Sequence, residues 1–195
     1  MPTTGSFDDD GATHSVIVLT PIGGQTSTPS VRDLYPVFRR ETKTTDVQVQ
    51  KFAKNDGDLL LRPGVGDSRV GEPIYKETRL IYGTPDRGVY AVPTTGQAIC
   101  LGHFPNGGAG CSSPGPHGVT MDWEDASNGA PWILYGMAGD DVTGIDAVVA
   151  GVVHQVDVRE SAYVLELPHA GRAPLQKIVL HLDNGETDEL PVPGS

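Results

Sequence analysis

The sequence predicts a mostly β protein, in which a short, partly helical N-terminal region leads into an antiparallel meander and a small β-sandwich. Three observations carry that expectation. Of 195 residues, 25 are Gly and 16 are Pro, and both residue types break up helices. From residue 74 onward, short apolar runs alternate with turn-forming segments such as GTPDR and PTTG. Before residue 74, apolar residues recur at helical spacing: Val31, Leu34, Tyr35 and Phe38 fall on one helix face.

Taken in order, residues 1–29 read as a disordered polar arm and linker, with one strand expected over His14 to Thr20. Residues 30–73 form the partly helical region. Ser30 is placed to cap a short helix, with Asp33 three residues on, although Pro36 interrupts the run. A second short helix can start at Thr45-Asp46 and run through Lys54. A strand is the alternative, because Val47, Val49 and Phe52 make no clean stripe. NDGD (55–58) is expected to end this element, and RPGVGDSRVGEP (62–73) reads as loop.

Residues 74–195 are the β-rich region, which can form one continuous domain. Within 74–117, strands are predicted at 78–82, 88–92 and 97–104, a three-stranded antiparallel meander. Residues 118–195 read as sandwich-like, with strands at 131–137, 145–150, 152–158, 162–167, 176–182 and 186–192. Asp183-Asn184-Gly185 is a hairpin turn between the last two. No α-helix is expected after residue 74, and no repeat of fixed period stands out.

The net charge is -11 and unevenly placed. Residues 1–80 hold eleven acidic and ten basic side chains, whereas residues 81–195 hold fourteen and four. The acidic half would repel phosphate backbones and anionic bilayers, so neither nucleic acid nor a membrane surface is an expected partner. The apolar run Val16 to Leu19 is too short to span a membrane or to serve as a secretory core, and acids precede it. No signal peptide and no membrane insertion are expected from these residues.

Both cysteines lie in CLGHFPNGGAGC (100–111), and three readings compete there. A Cys100–Cys111 disulfide is the favoured one. Asn106-Gly107-Gly108 can reverse the chain, and closing so short a loop stabilises by roughly 2–3 kcal/mol. The second is a metal site built from Cys100, His103, Cys111 and His117, whose local spacings are close to those of zinc ligands. The third, redox catalysis, fits poorly without a C-x-x-C pair, and free structural thiols are the remaining alternative.

Asp122 and Glu124, flanking Trp123, are the other candidates. On a strand, carboxylates at i and i+2 share one face roughly 6–7 Å apart, which suits a cation or a sugar-hydrolysing pair. A solvated edge or turn is the plainer reading. Trp123 and Trp132 are expected as core anchors; the alternative is that one of them lines a ligand platform, with Trp123 joining Asp122 and Glu124 as a ligand-binding candidate. Gly139-Asp140-Asp141 reads as a turn, and His154, His169 and His181 as scattered surface or core residues. GDSRVG (66–71) resembles the nucleophile block of SGNH-type esterases, with Ser68 as the serine. The Asp-x-x-His that family needs is absent, and Glu166-Leu-Pro-His169 is the nearest substitute. A turn in a loop accounts for it.

A broader resemblance is carried by LYPVFRRETKTTD (34–46), Val89-Tyr90-Ala91-Val92-Pro93, Gln97 to Leu101, Gly107 to Cys111, Tyr135-Gly136-Met137, Asp141-Val142 and Val158 to Leu165. In that order these segments resemble a group of actinobacterial extracytoplasmic β-rich proteins, secreted or membrane-anchored, with a two-cysteine Gly-rich segment. The likeness spans about residues 34–182. It implies an envelope or secreted setting and supports pairing Cys100 with Cys111. It brings no activity and no catalytic residues.

The expectation is therefore a non-catalytic extracytoplasmic interaction or structural domain, stapled by one disulfide. Its partner would be a protein or an envelope component, and no cofactor is called for. The alternative is a metal-binding protein or a hydrolase of unrecognised type. No nucleophile–base pair and no clustered metal ligands are visible in the sequence, which leans the reading away from an enzyme.

Overall fold

The computed structural model describes residues 31–60, 70–104, 109–124, 131–167 and 175–192. The strand expected at 14–20, the cap at Ser30, Ser68 of GDSRVG, the Asn106–Gly108 reversal and His169 lie outside the described residues.

Pro36 divides the first helical run. Helix α1 spans Val31–Leu34 and α2 spans Pro36–Arg39. Between them Tyr35 is extended, at φ -126° and ψ 117°, the conformation that a following proline imposes. Helix α3 spans Thr44–Leu60. The strand alternative is thus excluded, and NDGD does not end the helix. The stripe that buries this helix is Asp46, Val49 and Ala53, at i, i+3 and i+7, while Val47 stays exposed. Packing of that stripe, together with a capped first turn, outweighs the low helix propensity of the Asn, Asp and Gly near its end.

Eleven strands follow among the described residues: β1 Arg79–Thr84, β2 Arg87–Pro93, β3 Ile99–Phe104, β4 Ala109–Ser112, β5 Thr120–Glu124, β6 Trp132–Met137, β7 Val142–Val149, β8 Val152–Asp157, β9 Ala162–Leu167, β10 Leu175–Leu182 and β11 Thr187–Leu190. Every pairing is antiparallel. They make three sheets, ordered β1-β2-β3-β4, β5-β6-β9 and β11-β10-β7-β8. The meander gains a fourth strand, β4, where three were expected. Strand β5, which carries Asp122 to Glu124, adds to the predicted sandwich series.

The alternation of side chains orders the sheets as layers. In β6, Trp132 and Leu134 enter one core with Ile145, Ala147, Ile178 and Leu180 of the β7–β10 sheet. Ile133, Tyr135 and Met137 enter a second core with Val89, Ala91, Ile99 and Leu101 of the first sheet. The β5-β6-β9 sheet is therefore the middle layer, and β6 is buried on both faces along its whole length. Helices α1 and α2 close the second core through Val31, Tyr35, Val37 and Phe38. Helix α3 covers the outer face of the first sheet, where Val49 and Ala53 meet Tyr90, Val92 and Cys100. The outer sheet keeps the pattern of one buried and one wet face, as Val142 to Val149 shows.

Two tyrosine hydroxyls converge on the start of β5, one from the helical region and one from β9 of the same sheet. Tyr35 donates to the Gly118 carbonyl at 2.5 Å, and Tyr163 donates to the Thr120 carbonyl at 2.8 Å. Burial raises the pKa of both phenols, so they remain neutral donors. No helix among the described residues is long and apolar enough to cross a membrane.

Candidate functional site

Strand β5 sorts its side chains by the period of two. Met121 and Trp123 face the core shared with the outer sheet. Asp122 and Glu124 face the other way, toward the first sheet, and share one strand face as expected. Tyr135 stands directly opposite Asp122 in the β5–β6 register and is fully buried. Its hydroxyl lies 3.0 Å from Glu124 Oε1 and 3.4 Å from Asp122 Oδ2. From β3 of the facing sheet, His103 brings Nδ1 to 3.3 Å from Glu124 Oε2, and its ring lies 5.9 Å from that of Tyr135. Four ionisable side chains from three strands thus meet between two sheets.

Burial, the largest influence, pushes the Asp122 carboxyl up to about 7, and the neighbouring Glu124 charge pushes it further the same way. The Trp123 backbone N–H, which donates to Asp122 Oδ1 at 2.9 Å, and the Tyr135 hydroxyl oppose the rise in part. Burial and the two acids also raise the Tyr135 phenol far above its ordinary range. A phenol has one proton to give. Protonated Asp122 can donate to the Tyr135 oxygen while Tyr135 donates to Glu124, so a single proton order satisfies the whole chain.

This geometry differs from the one an inverting glycosidase needs. Such a pair holds its carboxyls roughly 6.5–9.5 Å apart, with room for water between them. Here the Tyr135 hydroxyl occupies the space between Asp122 and Glu124 and bonds both. The raised Asp122 carboxyl favours a shared proton in this acidic pair below about pH 7.

The metal reading is overturned by the cysteines. Cys100 and Cys111 form a disulfide, which removes the two thiolates that the site required. They face each other directly in the β3–β4 register. The two histidines of that set are committed elsewhere. His103 faces Glu124, while His117 sits with Nδ1 2.5 Å from Asp141 and Nε2 3.4 Å from Asp188. Among the described residues no group of three His, Cys, Asp or Glu side chains is arranged to hold a metal ion.

Tyr135, His103 as a partner of Glu124, and the Asp141–His117–Asp188 clasp do not follow from local sequence, since each joins residues far apart in the chain. Asp140 also does more than fill a turn: it accepts from Arg39 of α2 at 2.6 Å. The Trp residues behave as expected. Trp132 is fully buried, and Trp123 packs partly buried against the same core.

No family model matches this chain. No curated protein and no solved structure matches it either.

Proposed function

We propose that the chain is a non-catalytic interaction domain of an oxidising, extracytoplasmic compartment, stapled by Cys100–Cys111. One observation carries the interaction reading: the outermost strands of three sheets border a single open groove. β1, β8 and β9 each end their sheet. Ile81 and Tyr82 of β1, Gln155 to Asp157 of β8 and Ala162 to Leu165 of β9 line a groove of about 430 Å³. Outer strands offer unpaired backbone groups, and a groove lets a partner reach them. The disulfide supports the compartment, because such bonds persist where thiols are not kept reduced. The resemblance to actinobacterial extracytoplasmic proteins points the same way.

Intact mass of protein taken from its native cells tests the compartment. A mass lower by two hydrogens until reduction supports it, and free thiols sink it. A hydrolase remains the second reading, favoured by the Asp122 carboxyl at about 7 beside Glu124. Turnover of glycosides or esters that vanishes in both Asp122→Asn and Glu124→Gln would put that reading first.

A further inference from the structure

The hairpin formed by β8 and β9 opens like a fork. Arg159 and Ala162 exchange both backbone hydrogen bonds, at 2.8 and 2.9 Å, and close its base. Beyond that pair the strands part, β8 joining the outer sheet and β9 the middle one. The groove lies in the fork, with β1 across it.

We propose that the open edge of β8 takes an added strand: an extended segment of a partner protein with apolar residues at alternate positions and lysine or arginine between them. The proposal rests on the interaction reading above and names the partner of that same groove.

Three observations carry it. First, β8 is unguarded. Its sequence, VVHQVD, holds no proline and no lysine, the residues that commonly blunt an edge. Second, β8 exposes apolar side chains along its edge beyond the groove lining, and Tyr82 exposes another across the groove. Four large apolar residues are exposed among the described residues, and three of them, Tyr82, Val152 and Val153, lie on β1 and β8. Val152 and Val153 are 56% and 58% exposed and, as neighbours on a strand, present apolar surface on both faces of the edge. Third, charge selects the partner. Over residues 140–160 and 175–190, which hold the outer sheet and the fork's closing turn, nine acidic side chains outnumber one lysine and one arginine; that arginine, Arg159, lines the groove and pairs with Asp157 at 2.9 Å. A second copy of the chain would set two such sheets edge to edge and be repelled, whereas a basic strand is attracted. The main-chain pairing demands an extended occupant, and the groove's apolar lining (Ile81, Val156, Val164, Leu165) suits its alternate side chains.

The test is a titration of ¹⁵N-labelled protein with a nine-residue peptide of alternating valine and lysine. Its controls are the valine–glutamate twin and the valine–lysine peptide with proline at its centre. The valine–lysine peptide should bind and weaken with salt, and its amide shift changes should concentrate on Val152–Asp157 and Ala162–Leu165. Both controls should bind at least tenfold more weakly. Val153→Lys should cost at least tenfold in affinity. Should that variant misfold, Tyr82→Ser, across the groove, serves instead. Equal binding by the glutamate twin, or a concentration-dependent dimer that protects β8 amides, would overturn the proposal. Peptide binding on another face also overturns it, yet leaves the interaction reading intact. Asp122-dependent turnover without peptide binding overturns both.

Discussion

Tyr163 lies directly opposite Gly136 in the β6–β9 ladder, and its ring fills the space that a side chain at 136 would need. A Cβ on Gly136 would stand 2.3 Å from the Tyr163 hydroxyl oxygen and 2.1 Å from the Thr120 carbonyl oxygen. The same carbonyl accepts the Tyr163 hydroxyl, so one glycine lets three strands of the middle sheet interlock. Tyr90 and Gly102 repeat the arrangement between β2 and β3.

Gly136→Ala should therefore cost about 3 kcal/mol or prevent folding, since a fully buried ring and a backbone carbonyl cannot both give way. Tyr163→Phe keeps the ring and orphans only the carbonyl, a loss of about 1–2 kcal/mol. Urea unfolding of both variants checks the order. A Gly136→Ala protein as stable as the parent would mean that the ring is not held over that position.

The disulfide should matter most to β4. This four-residue strand ends the first sheet and pairs only with β3, so few bonds hold it besides Cys100–Cys111. Cys100→Ala/Cys111→Ala should lose roughly 2–3 kcal/mol, the entropy of the freed loop. Hydrogen exchange should rise first at Ala109–Ser112. An unchanged exchange pattern would show that strand pairing alone suffices.

The parts of this fold legible in the sequence are those written in local alternation. The strands after residue 74 and the pairing of Cys100 with Cys111 depend on neighbours in the chain. Helix α3 was half hidden because its buried stripe runs through Asp46 and Ala53, which a search for large apolar residues passes over. The site was half hidden for a similar reason. Asp122 and Glu124 could be placed on one strand face by spacing, but Tyr135 and His103 reach them from other strands. Register and layer order, which no short window of sequence carries, bring these groups together.

Asp46 should be among the most stabilising polar residues. It is fully buried in the first turn of α3, where it accepts from the Lys43 backbone N–H at 2.7 Å as a cap. It also accepts from the Leu80 N–H at 3.0 Å, and from Arg40 through two nitrogens at 2.6 and 3.1 Å. Burial alone would raise this carboxyl, but the Arg40 guanidinium and the two backbone donors outweigh it and hold it below the ordinary carboxylate range. Asp46→Ala leaves two amides without their acceptor and Arg40 with only Glu160 and two backbone carbonyls, and should cost about 3 kcal/mol at pH 7. Because the folded pKa is lowered, the stabilisation is present above the ordinary carboxylate range and is lost as pH falls through the folded value. Parent and variant should converge in acid. A constant gap down to the acid limit would contradict the ionised, multiply bonded carboxylate.

Asp122 should give the opposite pH profile. Its folded pKa, at about 7, lies above the ordinary value of about 4. The folded state therefore holds a proton that the unfolded chain releases earlier. The stabilisation is complete below about pH 4 and is lost as pH rises through about 7. By pH 8 the ionised group, buried beside Glu124, costs on the order of 4 kcal/mol. Asp122→Asn keeps a carbonyl for the Trp123 N–H and carries no charge, so it should lack the part of the parent's loss from pH 5 to 8 that Asp122 causes. The variant should overtake the parent in that window, and Glu124→Gln, by removing the repulsion that raises Asp122, should make the loss smaller and bring its end to lower pH. Thermal melts across the window, run on all three proteins, decide it. Parallel curves for parent and Asp122→Asn would mean that the carboxyl is ionised throughout and that no proton is stored between these sheets.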